Sequence, residues 1–289
     1  MDNETKPATF NPGSKVAGLS ERQAEEIEAQ SRPTAALIHE TIRAEGENEL
    51  ERRWWAILLS GFAAGLSISL SFIVQGEFQA FASDESARRL VAPLGYTVGF
   101  LVVVLGRQQL FTENTLAPIL PLLHHRDGKT FLSVVRLWGL VLVANVAGTW
   151  TVAFAVVHWH VFEPAVWDAL VQIGDRTVDA SFPITLAKGI AAGWLIALMM
   201  WLLPAADSSR VLIIIIMTYV LALCEFSHII AGSVDCAFMV QIGHVSLRDY
   251  AIVFFVPTLL GNVLGGTTLV ALLNYGQVAA EIDKPRDSN

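Results

Sequence analysis

Long apolar stretches separated by short polar gaps dominate the chain. Six of them cover residues 54–74, 93–123, 131–162, 182–204, 211–242 and 250–275. A helix rises about 1.5 Å per residue, so about 20 residues cross the hydrocarbon core of a bilayer. Every stretch is long enough. The second and fifth run to about thirty residues, or roughly 45 Å as one helix. Each is interrupted in its middle: Gly106-Arg-Gln-Gln-Leu-Phe-Thr-Glu-Asn-Thr115 in the second, and Cys224-Glu-Phe-Ser-His-Ile-Ile-Ala-Gly-Ser-Val-Asp235 in the fifth. Irregular backbone at membrane depth is tolerated only inside protein or along a cavity. Two over-long, interrupted segments therefore predict broken helices around a substrate site.

The halves of this pattern repeat. Gly61-Phe-Ala-Ala-Gly65 opens the first and Gly189-Ile-Ala-Ala-Gly193 the second. Asn145-Val-Ala-Gly148 closes the first and Asn262-Val-Leu-Gly265 the second. The breaks, at Thr112 and His228, fall between them. Three spans per half is an odd number, which inverts one repeat relative to the other. The expected class is an all-α integral membrane protein with six transmembrane helices, an inverted repeat and broken second and fifth helices. The expected organisation is a disordered segment at 1–32, an amphipathic helix at 33–50, a membrane domain at 51–277 and a tail at 278–289. The repeats cover about 54–162 and 182–275. The helix at 33–50 is read either as lying on the inner membrane surface or as an ordinary solvated helix.

Composition agrees with this picture. The 289 residues are 53% hydrophobic and 16% charged, against about 25% charged in soluble domains. Mean hydropathy is +0.51. The net charge of −8 argues against nucleic acid as a partner. Cys224 and Cys236 sit in apolar sequence and read as small hydrophobes. Lys and Arg concentrate before the first stretch (Arg43, Arg52, Arg53), in the second connection (Arg126, Lys129, Arg136) and in the tail (Lys284, Arg286). The odd-numbered connections are acidic or mixed, so both termini are expected in the cytoplasm. No cofactor, metal or enzymatic activity is expected.

At its breaks the sequence resembles the formate/nitrite transporter family, across about residues 34–276. The resemblance rests on Leu110-Phe111-Thr112, on His228, and on the Gly-Asn-x-x-Gly-Gly run from Gly261 to Gly266. It is closest to a divergent inner-membrane branch of enteric-type bacteria. It implies an aquaporin-like protomer, a homopentamer in the bacterial inner membrane, and one pore per protomer for a small monovalent anion and a proton. On that basis His228 and Thr112 are the expected pore residues, with His228 lending a proton. Leu110, Phe111 and Phe226 are the expected constrictions. Glu225, Gln109, Ser227, Asn114, Asn145 and Asn262 are expected in support, and Arg176 and Lys188 as vestibule charges. A bare ion in low dielectric costs of order 20 kcal/mol by an idealised estimate. Helix N-termini and a titrating histidine lower that barrier.

Several positions depart from the family pattern. Gln109 and Ser227 stand where acids are usual, and the nearby acid is Glu225, three residues before His228. On a continuous helix Glu225 would share a face with His228. Gly193 and Gly232 stand where the family has pore-facing Asn, which leaves a neutral-solute pore or a non-conducting scaffold as alternatives. Glu113, Asn114 and Thr115 are expected to cap the second half-helix.

Overall fold

The computed structural model describes residues 33–272. The expectations for 1–32 and 278–289 lie outside the described residues. All regular structure among the described residues is helical.

The helices are α1 (Ala35–Glu51), α2 (Trp54–Ile68), α3 (Leu70–Phe81), α4 (Glu85–Leu105), α5 (Ile119–His125) and α6 (Gly128–Trp159). There follow α7 (Pro164–Val178), α8 (Phe182–Leu202), α9 (Arg210–Leu223), α10 (Ala231–Gln241) and α11 (Val256–Leu264). A π-helical stretch, Tyr250–Phe255, leads into α11 and another, Gly265–Leu272, continues it. Five helical stretches are long and apolar enough to cross a membrane: Trp54–Phe81, Glu85–Leu105, Gly128–Trp159, Phe182–Ala205 and Leu247–Thr268. The fifth apolar segment of the sequence is divided between the short helices α9 and α10. The second starts earlier than its apolar run, because Asp84 caps α4 and its first turns carry charge.

Both breaks begin in the same way. Past α4, Arg107 takes a left-handed φ of 49°; past α9, Glu225 takes one of 51°. In each case the next two amides fold back on the helix. Arg107 and Gln108 donate to Val104 and Val103, while Glu225 and Phe226 donate to Ala222 and Leu221. That pairing satisfies the last carbonyls and stops the helix. Glycine is the residue that usually adopts this conformation; here Arg107 and Glu225 do, and both are drawn into ion pairs, with Glu45 and Lys188.

Glycines set the close crossings. A methyl group on Gly65 of α2 would lie 2.2 Å from the Asn145 carbonyl of α6; one on Gly193 of α8 would lie 2.3 Å from the Asn262 carbonyl of α11. Small residues of this kind let membrane helices pack backbone to backbone. The third connection, which the sequence presents as acidic, holds α7. Its Val166, Leu170 and Ile173 are buried, a stripe at helical spacing. It packs on α3 and α10. Helix α1 lies across the first break: Gly46 abuts the Ala117 carbonyl and Glu47 reaches His125.

Asp84 and Asp127 cap α4 and α6, accepting from Ala87 N (2.9 Å) and Thr130 N (2.8 Å). Those backbone hydrogen bonds hold both carboxyls below the usual range. The stabilisation is present above the unfolded value, near pH 4, and is lost as pH falls through the lower folded value. Asp127→Ala is therefore expected to lower the melting temperature in detergent at about pH 7, with a gap from the parent that narrows at about pH 3. A gap of equal size at both pH values would contradict the capping role.

Candidate functional site

Two buried asparagines fix the breaks. Asn145 of α6 accepts from Phe111 N (2.9 Å) and donates to the carbonyls of Gln109 (2.8 Å) and Gly61 (2.7 Å). Asn262 of α11 accepts from Ile229 N (2.9 Å) and donates to Ser227 O (2.8 Å) and Gly189 O (2.9 Å). The two sets correspond atom for atom, so the repeat seen in sequence is a repeat of hydrogen bonds. In this register Leu110 occupies the place that His228 holds in the other half.

The breaks meet at Thr112 and His228. Thr112 Oγ1 and His228 Nε2 lie 2.7 Å apart, and both residues are buried. His228 Nδ1 accepts from the Ala231 amide at 3.1 Å. A ring nitrogen that accepts carries no proton, so the neutral ring bears its hydrogen on Nε2 and donates it to Thr112. The Thr112 hydroxyl proton has no acceptor among the described residues. Phe100 of α4 stands edge-on to the imidazole, with centroids 5.0 Å apart.

A cavity of about 940 Å³ leads to His228. It is lined by α4, α7, the start of α8 and the second break. Arg176 and Lys188, the two expected vestibule charges, both line it, as does Phe226. Arg88 and Arg89 were not singled out from the sequence but line it as well. The Arg88 Nε is buried without a partner among the described residues, and its Nη1 lies 3.6 Å from Glu85 Oε2. Leu110 and Phe111 are buried and do not line this cavity.

Some expectations fail. Glu225 does not face His228. The chain is not helical from Cys224 to Ile230, so three-residue spacing does not bring side chains together, and Glu225 pairs instead with Lys188 at 3.6 Å. Glu113, Asn114 and Thr115 do not cap α5; its N-cap is Pro118, with no side-chain bond. Asn114 bonds Gln109 (3.1 Å) and Leu110 O (3.0 Å), while Gln109 reaches Glu49 of α1 at 2.8 Å. The Ser227 carbonyl, not its hydroxyl, is what Asn262 holds. Cys224 is exposed, Cys236 buried. Gly193 is filled by the backbone of α11 rather than open to a pore. At Gly232 an added methyl would meet the Phe254 ring at 2.4 Å, so an aromatic side chain takes the room of the family's Asn. The π-helical stretch that carries Phe254 leaves no sequence signal, and the residue was missed.

Two broken helices, held back to back by equivalent asparagines inside a bundle of apolar helices, define a membrane transport fold. The formate/nitrite transporter family description matches residues 36–276, and the chain belongs to that family. It is 39% identical over 262 residues to inner membrane protein YfdC of Escherichia coli K12, covering 90% of this chain and 84% of that one. It is 27% identical to the formate channel BtFdhC of Bacillus thuringiensis over 244 residues, covering 82% and 93%. Its fold matches a pentameric formate channel with formate bound, with a TM-score of 0.68 at 19% identity, over 78% of this chain and 98% of that one.

Proposed function

We propose that the chain forms a pore for a small monovalent anion of the formate or nitrite kind, coupled to a proton, and is not an enzyme. The Thr112–His228 pair at the foot of a cavity with a basic mouth carries this reading. Arg88, Arg176 and Lys188 raise the local anion concentration. The anion then loses water and accepts a hydrogen bond from the Thr112 hydroxyl, an interaction strengthened by the low dielectric. Phe226 narrows the approach, and Leu110 and Phe111 form the apolar barrier at the first break. Coupling at His228 itself requires a ring protonated on both nitrogens, which means breaking the hydrogen bond from the Ala231 N–H to Nδ1.

The assembly is read as a homopentamer in a bacterial inner membrane. The pentameric structural neighbour and the inner-membrane relative support that reading. The distribution of Lys and Arg favours cytoplasmic termini, and the vestibule then opens outward. The apolar Phe254 wall at Gly232 favours a second reading, a pore for a small neutral solute. Uptake of formate, nitrite and glycerol into proteoliposomes at two pH values separates the readings. Formate or nitrite uptake that rises in acid is expected. Glycerol uptake alone would establish the second reading, and no uptake of any solute would leave a scaffold.

A further inference from the structure

Asp235 is a carboxyl that the mechanism above does not use. It lies on α10 two turns beyond His228, is more than nine-tenths buried, and lines the same cavity. Its Oδ2 accepts from Thr177 Oγ1 of α7 at 3.0 Å. No cation lies within ion-pair distance of it among the described residues. The neighbouring Arg176 is turned to Gln79, donating from Nη2 to Oε1 at 2.6 Å, and Gln79 is fixed in turn by Gln172 at 3.1 Å. A guanidinium and a carboxyl thus stand side by side on the wall of an anion path, each anchored to a neutral partner and neither neutralising the other.

A carboxyl so placed has two states with opposite effects on an anion. Ionised, it repels the anion from His228; protonated, it is a neutral hydrogen-bond donor. We propose that Asp235 is the proton-loading group of the pore, passing its proton to an anion held by Arg176 before the anion reaches Thr112 and His228. This rests on the anion-pore reading. In the step the Asp235 O–H bond breaks as an O–H bond forms on the anion, giving the neutral weak acid. The Asp235 carboxylate then takes a proton from hydronium in the vestibule water. Unlike His228, Asp235 gives up its proton without opening a backbone hydrogen bond.

The surroundings bear on any pH profile. Arg176 faces the cavity from α7 and Tyr96 from α4, Cys236 adjoins Asp235 on α10, and His228 lies at the inner end. Helix α3 contributes the neutral Gln75 and Gln79. Tyr250, before α11, is engaged with Ser233 at 3.1 Å. Glu85, Arg88, Arg89, Lys188 and Glu225 complete the charged part of the lining.

The test is uptake of labelled formate into proteoliposomes of the full chain, with a pH-sensitive dye recording proton entry. The parent is expected to carry about one proton per formate and to slow at least tenfold between about pH 5 and pH 8. Asp235→Asn is expected to change less than about twofold over that range and to lose proton entry, with Asp235→Glu restoring both. An unchanged pH profile and stoichiometry in Asp235→Asn overturns the assignment. If Asp235→Asn does not assemble, Thr177→Val is decisive: a moved pH midpoint supports the assignment and an unmoved one overturns it. Parent protein that carries no formate at either pH overturns the underlying pore reading instead, which is a different result.

Discussion

Asn262→Ala is expected to unfold the second half of the membrane domain at markedly lower temperature than the parent. The side chain is fully buried and makes three hydrogen bonds of 2.8–2.9 Å. Its removal strands the Ile229 amide and the Ser227 carbonyl in a place water does not reach, and takes a second donor from the Gly189 carbonyl inside α8. Each stranded group costs about 1–3 kcal/mol in soluble proteins and nearer 0.6 kcal/mol on average between membrane helices. The two stranded groups together amount to about 1–6 kcal/mol, a sizeable share of the stability of a typical domain. Asn145→Ala should cost about as much, because its partners correspond. Asn262→Asp should also be severe, since a carboxylate would face two carbonyl oxygens. Unfolding followed in detergent measures this, and melting curves that superpose on the parent's would show that the asparagines do not hold the breaks.

The largest expected loss of function is in His228→Ala. The change removes the ring that orients the Thr112 hydroxyl and the acceptor of the Ala231 amide. Formate flux is expected to fall about a hundredfold, the scale of losing an oriented donor in a dry site. Thr112→Val keeps the ring and the volume but removes the hydroxyl that meets the anion, and a fall of about tenfold is expected. Parent-like flux in both variants would place the selective step elsewhere in the protein. A fall in Thr112→Val with His228→Ala unaffected would mean that the threonine acts without the ring.

Much of this was legible in the chain. Polar interruptions inside apolar stretches too long for one helix marked both breaks, because hydrocarbon tolerates no loose backbone. The duplicated Gly and Asn motifs marked the asparagines that hold them. The family resemblance placed Thr112 and His228 together in the pore, and they touch. The directions of side chains past a helix end were not legible. Glu225 was assigned to His228 on helical spacing, but a single left-handed residue turned it to Lys188. Asp235 went unnoticed because its partner, Thr177, lies on α7, a helix hidden by the charges of its exposed face. Phe254 went unnoticed because a π-helical stretch shifts the phase of every side chain within it.

The asparagine bonds have one more consequence. They read only main-chain atoms: the amides of Phe111 and Ile229 and the carbonyls of Gln109, Ser227, Gly61 and Gly189. Nothing in them depends on which side chains the breaks present, and the two halves in fact present leucine in one and histidine in the other. The scaffold thus leaves the chemistry at its centre open to change. A lineage could exchange one transported solute for another by point substitution there, without rebuilding the framework around it.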